Sequence, residues 1–312
     1  MNSLVQVRIT ALLFRSLVVL TALFCSPLSP TAQAVAPPPP GGYPNFTTAA
    51  GDNALQALTL GVGNTAIGTF SLFSVTTGGF NTAVGAGALD RNTADSNTAI
   101  GAAALLFNTT GTENTANGTA ALEFNDTGSN NTATGAFALF SNTTGHDNTA
   151  NGFNALLNNA EASENTADGS NALANNTDGE GNTSVGFNAL LGNTTAAQNT
   201  GVGSSALAGN STGTDNTAIG FDALSANTNA QNTAVGSNAL ASNTSGFDNT
   251  ALGFRALFAN LGARRNNAVG SGALSSHTTG NFNNAISGNA LAVRQGDVGF
   301  RHLMGRPGRR AQ

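Results

Sequence analysis

The feature that most constrains this chain is a seventeen-residue line written again and again in phase. Residues 232 to 248 read NTAVGSNALASNTSGFD, and residues 249 to 265 read NTALGFRALFANLGARR. With the Asn of NTA as position 1, copies begin at residues 64, 81, 97, 114, 131, 148, 165, 182, 199, 216, 232, 249, 266 and 283. A degenerate copy, TTAAGDNAL, starts at Thr47 and makes fifteen. Two steps, 81 to 97 and 216 to 232, are sixteen residues long, and both short copies lack the glycine common at position 15. That places the missing residue in a connecting turn, where chain length is least constrained.

A period this short signals stacked supersecondary units. Seventeen residues cannot hold a helical hairpin with its turns, and Gly and Asn at fixed places break any amphipathic helix. Two short strands and two turns do fit: NTAVG as the first strand, xALxx as the second. Each copy is then one coil of a parallel β-solenoid over residues 47–293, all-β, with about fifteen coils. Stacking at about 4.8 Å per coil gives a rod roughly 70 Å long.

Each fixed letter then has a task. Leu at position 9, present in all fifteen copies, points inward and stacks on its counterpart in the next coil. Ala at positions 3 and 8 fills space too narrow for a larger side chain. Gly at positions 5 and 15 is expected to allow positive φ or a tight bend. Asn at positions 1 and 12 is expected at the corners, where it tolerates left-handed backbone and its amide can bond the identical amide above and below. The position 12 series is unbroken from Asn92 to Asn260. Thr at position 2 occurs in thirteen copies, as a hydroxyl ladder on a strand would require.

Position 4 reads as a second seam. It runs Ile67, Val84, Ile100, then Asn117, Thr134, Asn151 and Asp168, then Val185 and further aliphatics to Ile286. If position 4 faces a subunit axis, the four polar residues form a hydrated belt that holds an ion or fixes register. If it faces solvent, the belt means little. Phe recurs at position 6 in alternate coils (Phe153, Phe187, Phe221, Phe254) and at positions 10 or 11 elsewhere (Phe73, Phe107, Phe124, Phe140, Phe258). An exposed row would be a sticky surface; packing under turns or between subunits is the simpler reading.

Residues 1–34 read as a secretory signal. Arg8 and Arg15 precede the apolar run SLVVLTALFC, and Ala32 and Ala34 supply the small residues for cleavage after Ala34. The Pro/Gly-rich stretch 35–46 then reads as a stiff linker. Residues 294–312 carry five arginines and read as a basic, disordered tail. The only cysteine is Cys25, inside the leader, so no disulfide or thiolate metal site is expected after cleavage.

Charge excludes some partners. Residues 47–291 hold fifteen acids and four arginines, and the chain has no lysine. Such a body is not expected to bind nucleic acid or an anionic membrane. No membrane-spanning segment is expected in the mature chain, the leader's apolar run being too short for one. The histidines (His146, His277, His302) show no metal-ligand spacing and read as turn or tail residues. No GxSxG elbow and no phosphate loop with Lys occur, and the acids are too sporadic for calcium coils. No enzyme, cofactor or metal is expected.

The strings NTAVG, NTAIG and NTALG, each followed by xxAL, resemble the head repeats of trimeric autotransporter adhesins over residues 47–291. They are also similar to repeat arrays of secreted bacterial proteins that end in an endosialidase-type chaperone. The adhesin resemblance implies a left-handed parallel β-roll, three chains side by side, and adhesion at the bacterial surface. The expectation is therefore a non-enzymatic secreted or cell-surface rod. Its partners would be itself, as a homotrimer, and a host macromolecule or other extracellular surface. The alternative is an ice-binding or mineral-templating solenoid that uses the Thr ladder.

Overall fold

The computed structural model describes residues 44–292 together with 303–304. The signal, linker residues 35–43, most of the basic tail and His302's side chain lie outside the described residues.

Each copy contributes one three-residue strand at positions 2 to 4, from β1 (Thr48–Ala50) to β15 (Asn284–Ile286). These strands form one parallel sheet in strict sequence order, so the fold is a parallel β-solenoid. The register pairs like with like: Thr48 with Thr65, Ala49 with Ala66, Ala50 with Ile67. It holds across both sixteen-residue steps, where Thr82 pairs with Thr98 and Thr217 with Thr233. The shortened turns therefore absorb the missing residue. In the first of them the Asp95 carboxylate accepts a bond from the Gly79 N–H at 2.6 Å. A last strand, β16 (Leu303–Met304), pairs in parallel with β15, although the tail shows no strand pattern.

Among the described residues, the second strand expected at positions 7 to 11 is absent. Those residues run as consecutive turns, and the fixed Leu is the reason the turn can close. All fifteen, from Leu55 to Leu291, have positive φ, between 49° and 55°. Position 7 is also left-handed in every copy, as at Ala103 (57°) and Asn154 (57°). A left-handed residue costs about 1–2 kcal/mol when it carries a Cβ. A fully buried Leu returns about 2–3 kcal/mol, so burial wins at position 9. The turns still hydrogen-bond from coil to coil: Leu105 N donates to Ala121 O, and Phe107 N to Glu123 O, both at 3.0 Å.

The Asn corners also differ from expectation. No position 1 or position 12 Asn has positive φ; the left-handed corner is position 17, as at Glu113 (60°) and Asp215 (59°). The Asn side chains instead lie inside, with Asn64, Asn131, Asn108 and Asn176 all 0% exposed. A buried amide must be bonded, and these bond along the axis. At position 12, Asn125 Nδ2 donates to Asn108 Oδ1 at 2.6 Å and to Gly128 O at 2.9 Å. At position 1, Asn131 N and Nδ2 both donate to Asn114 Oδ1, at 3.0 and 3.1 Å, and Nδ2 also donates to Gly145 O. The interior is thus a stack of Leu and two Ala rows flanked by two amide ladders.

The two glycine positions do different work. Position 5 has φ from 123° to 148° in fourteen copies, and a Cβ on Gly152 would lie 2.6 Å from Gly169 O of the next coil. Ser287 takes this place in the last copy at φ 141°. Position 15 does not have positive φ. A Cβ on Gly179 would sit 2.2 Å from Ala196 O of the next coil and 2.6 Å from Asn176 Oδ1, so smallness there makes room for both the stacking backbone and the amide ladder. Ala162, Ala196 and Ala263 show that the next smallest side chain is accommodated.

Candidate functional site

On each strand, position 3 points inward and positions 2 and 4 point outward, because successive side chains alternate faces. The thirteen Thr of position 2 make an outward row in register from Thr48 to Thr250. Asn267 and Asn284 continue it, joined amide to amide at 3.3 Å. Beside it runs position 4. Ile67, Ile100, Val185, Ile219, Leu252 and Ile286 are 36–46% exposed, an aliphatic stripe along the strand face.

The polar belt interrupts that stripe as one contiguous block. Asn117 pairs with Thr134, Thr134 with Asn151, and Asn151 with Asp168, between Ile100 on one side and Val185 on the other. All four side chains are exposed. Asn151 Nδ2 donates to Asp168 Oδ1 at 3.1 Å. In the isolated chain the belt is a polar patch on the strand face with a single carboxylate. Among the described residues, no group of three or more His, Cys, Asp or Glu is placed to hold a metal ion.

No protein-family model matches the chain, and no curated protein matches it.

The Phe side chains divide into two classes. Phe107 and Phe124 stack at 5.2 Å, and Phe124 meets Phe140 edge-on at 4.9 Å, all three half-buried on the turn face. This is the packing under turns that the sequence suggests. The position 6 series is different: Phe153, Phe187, Phe221 and Phe254 are 51–55% exposed.

The titratable groups include one that the sequence does not advertise. Glu123, at position 10, is 7% exposed, and burial pushes its carboxyl up to about 7. Its neighbours in the position 10 stack are Leu106 and Phe140, neither of which offers a charge. Asp90, two coils earlier in the same row, is also raised by burial, with Arg91 beside it pulling the other way. His146 pairs with Asp147 at 2.8 Å on the surface, as a turn residue would. His277 is fully buried at position 12. Its Nε2 bonds Gly280 O at 2.7 Å, where an Asn amide stands in the coils before it. Among the described residues, no helix is long and apolar enough to cross a membrane.

Proposed function

We propose that this chain is an exported, non-enzymatic rod that attaches to surfaces through many weak, repeated contacts. The observation that carries the reading is the strand face, where one Thr row and one aliphatic row run outward in register along the array. A site repeated in every coil gains strength by number, so avidity rather than any single residue sets the attachment. The exposed aliphatics of position 4 favour burial against further copies of the chain, and closed symmetry is the simplest way to achieve it. The resemblance to trimeric autotransporter adhesin heads makes that assembly a homotrimer at the cell surface. Asn117, Thr134, Asn151 and Asp168 would then face the axis as a hydrated, register-fixing segment.

Two measurements test this. Sedimentation of the processed chain should give a trimer, and a clean monomer at micromolar concentration overturns the subunit contact. Beads coated with the chain should hold to extracellular-matrix or mineral surfaces. Attachment should fall faster than in proportion as coils are deleted, and a merely proportional fall removes the avidity argument.

The Thr row favours one second reading. Its hydroxyls and methyls repeat about every 4.8 Å along the axis, which is a lattice-like array that could template ice or a mineral. Absence of thermal hysteresis and of altered crystal habit at millimolar protein would eliminate it.

A further inference from the structure

Position 6 alternates without a break over eight coils: Phe153, Ser170, Phe187, Ser204, Phe221, Ser237, Phe254, Ser271. Two coils separate consecutive rings by about 9.6 Å along the axis. That is beyond the roughly 4.5–7 Å at which aromatic rings gain from one another. No two of the four are in ring contact; among the described residues their one ring partner is Phe137, at position 7 of the preceding coil, 6.2 Å from Phe153. Phe107 and Phe124 show that adjacent coils can stack rings when packing is the purpose. The alternation instead keeps four rings apart and half in solvent.

The next row, position 7, is polar along most of this length. Asn154 donates to Asn171 Oδ1 and Asn171 to Asn188 Oδ1, at 3.3 and 3.2 Å. Asn238 Nδ2 donates to Ser237 Oγ at 2.9 Å, which shows how close the two rows lie. The surface is therefore a series of separate aromatic plates among hydroxyls and amides, with one acid, Asp222, and one arginine, Arg255, beside the last two rings. The continuous apolar row that a protein partner calls for lies at position 4, from Val185 to Ile286; Ser breaks the position 6 row at every second coil, so that row does not extend it. Neutral sugars want the arrangement found here. Their C–H faces lie on aromatic rings, and their hydroxyls pair with amides and hydroxyls. An extended β-1,4-linked chain turns each sugar over relative to the last, so like faces recur at every second sugar, close to two coils.

We propose that the row Phe153, Phe187, Phe221 and Phe254 binds an extended, neutral β-1,4-linked polysaccharide. It deepens the reading of the chain as an adhesive rod, and rests on it, by naming the surface that the rod takes hold of. Each ring stacks on one sugar; each Ser coil passes beneath the next.

The probes are microcrystalline cellulose and crystalline chitin, which distinguish an unsubstituted from an N-acetylated chain. The full chain should be depleted from solution by at least one of them. Phe187→Ala/Phe221→Ala should weaken that binding about tenfold, since each aromatic contact is worth roughly half to one such factor. Phe107→Ala/Phe124→Ala, away from the row, should leave it unchanged. The rings replaced in the first variant are more than half exposed, so its dichroism spectrum and urea midpoint should match the parent. No depletion by either solid, or depletion indifferent to the row variant, overturns the proposal. So does a row variant that lowers the sedimenting mass, because the rings would then be a subunit contact. If the chain still holds to matrix or mineral surfaces in those cases, the adhesive reading stands and only its ligand is wrong.

Discussion

The buried amide ladder of position 12 ends between Asn260 and His277. Asn260 Nδ2 donates to Asn243 Oδ1 at 2.7 Å, while its own Oδ1 has no hydrogen-bond partner although it is buried. In the preceding coils that oxygen accepts from the next Asn, as Asn227 Oδ1 does from Asn243 at 2.8 Å. An unpaired buried acceptor costs about 1–3 kcal/mol. His277→Asn should therefore stabilise the C-terminal coils by about 1 kcal/mol, since an Asn there can also bond Gly280 O as Asn243 bonds Gly246 O. A rise in urea midpoint with unchanged m-value would show it; a fall would mean the His ring makes better contacts than the ladder.

The ladder's worth can be measured at its middle. Asn159 donates to Asn142 Oδ1 at 3.0 Å and to Ala162 O at 2.8 Å, and accepts from Asn176 at 2.9 Å. Asn159→Ala removes all three bonds and strands their partners in a dry interior. The expected loss is about 3–5 kcal/mol, far above the few tenths usual at a surface position. A loss below 1 kcal/mol by urea denaturation would mean that water enters the coil and takes the place of the amide.

How the coils stack was legible because stacking needs like residues at like positions, and Leu55 to Leu291 and Asn92 to Asn260 meet that need visibly. The path of each coil was harder to read. A Leu in the left-handed region is disfavoured locally, so ALxx reads as a strand; only burial in the stack makes the turn at Leu190 or Leu257 worthwhile. The same local habit placed Asn at left-handed corners, since Asn is the residue that tolerates them. The amide ladder itself was expected and is present, as Asn125 to Asn108 shows; what local habit hid is that it runs inside the coil, away from water. The polar block from Asn117 to Asp168 was visible as a contiguous run.

The unusual backbone at Leu190 gives a test that separates strain from burial. It is fully buried, with φ of 50°. Leu190→Ala should cost about 2–5 kcal/mol through lost burial and the cavity left behind. Glycine normally loses a further 0.5–1 kcal/mol to chain entropy, but here it also escapes a left-handed penalty of about 1–2 kcal/mol. Leu190→Gly should thus be no less stable than Leu190→Ala, which reverses the usual order. The usual order, Ala above Gly by 0.5 kcal/mol or more, would show that the left-handed turn is not under strain.

Glu123 should make the rod more stable in mild acid than in mild base. Burial raises its carboxyl from 4.5 to about 7, so the folded chain holds that proton more tightly than the unfolded one. A carboxyl shifted upward contributes stability that is complete below the unfolded value and lost as pH rises through the folded one. The window is therefore about pH 4.5 to 7, and the change across it is of the order of 2–3 kcal/mol. Asp90, raised for the same reason, acts in the same direction, with Arg91 reducing its share. Glu123→Gln keeps the shape and removes the titration. It should raise the urea midpoint at pH 8, leave it nearly unchanged at pH 4.5, and flatten the profile between. A parent chain that grows steadily more stable from pH 5 to pH 8 would show instead that the carboxylate is ionised and solvated in the folded rod.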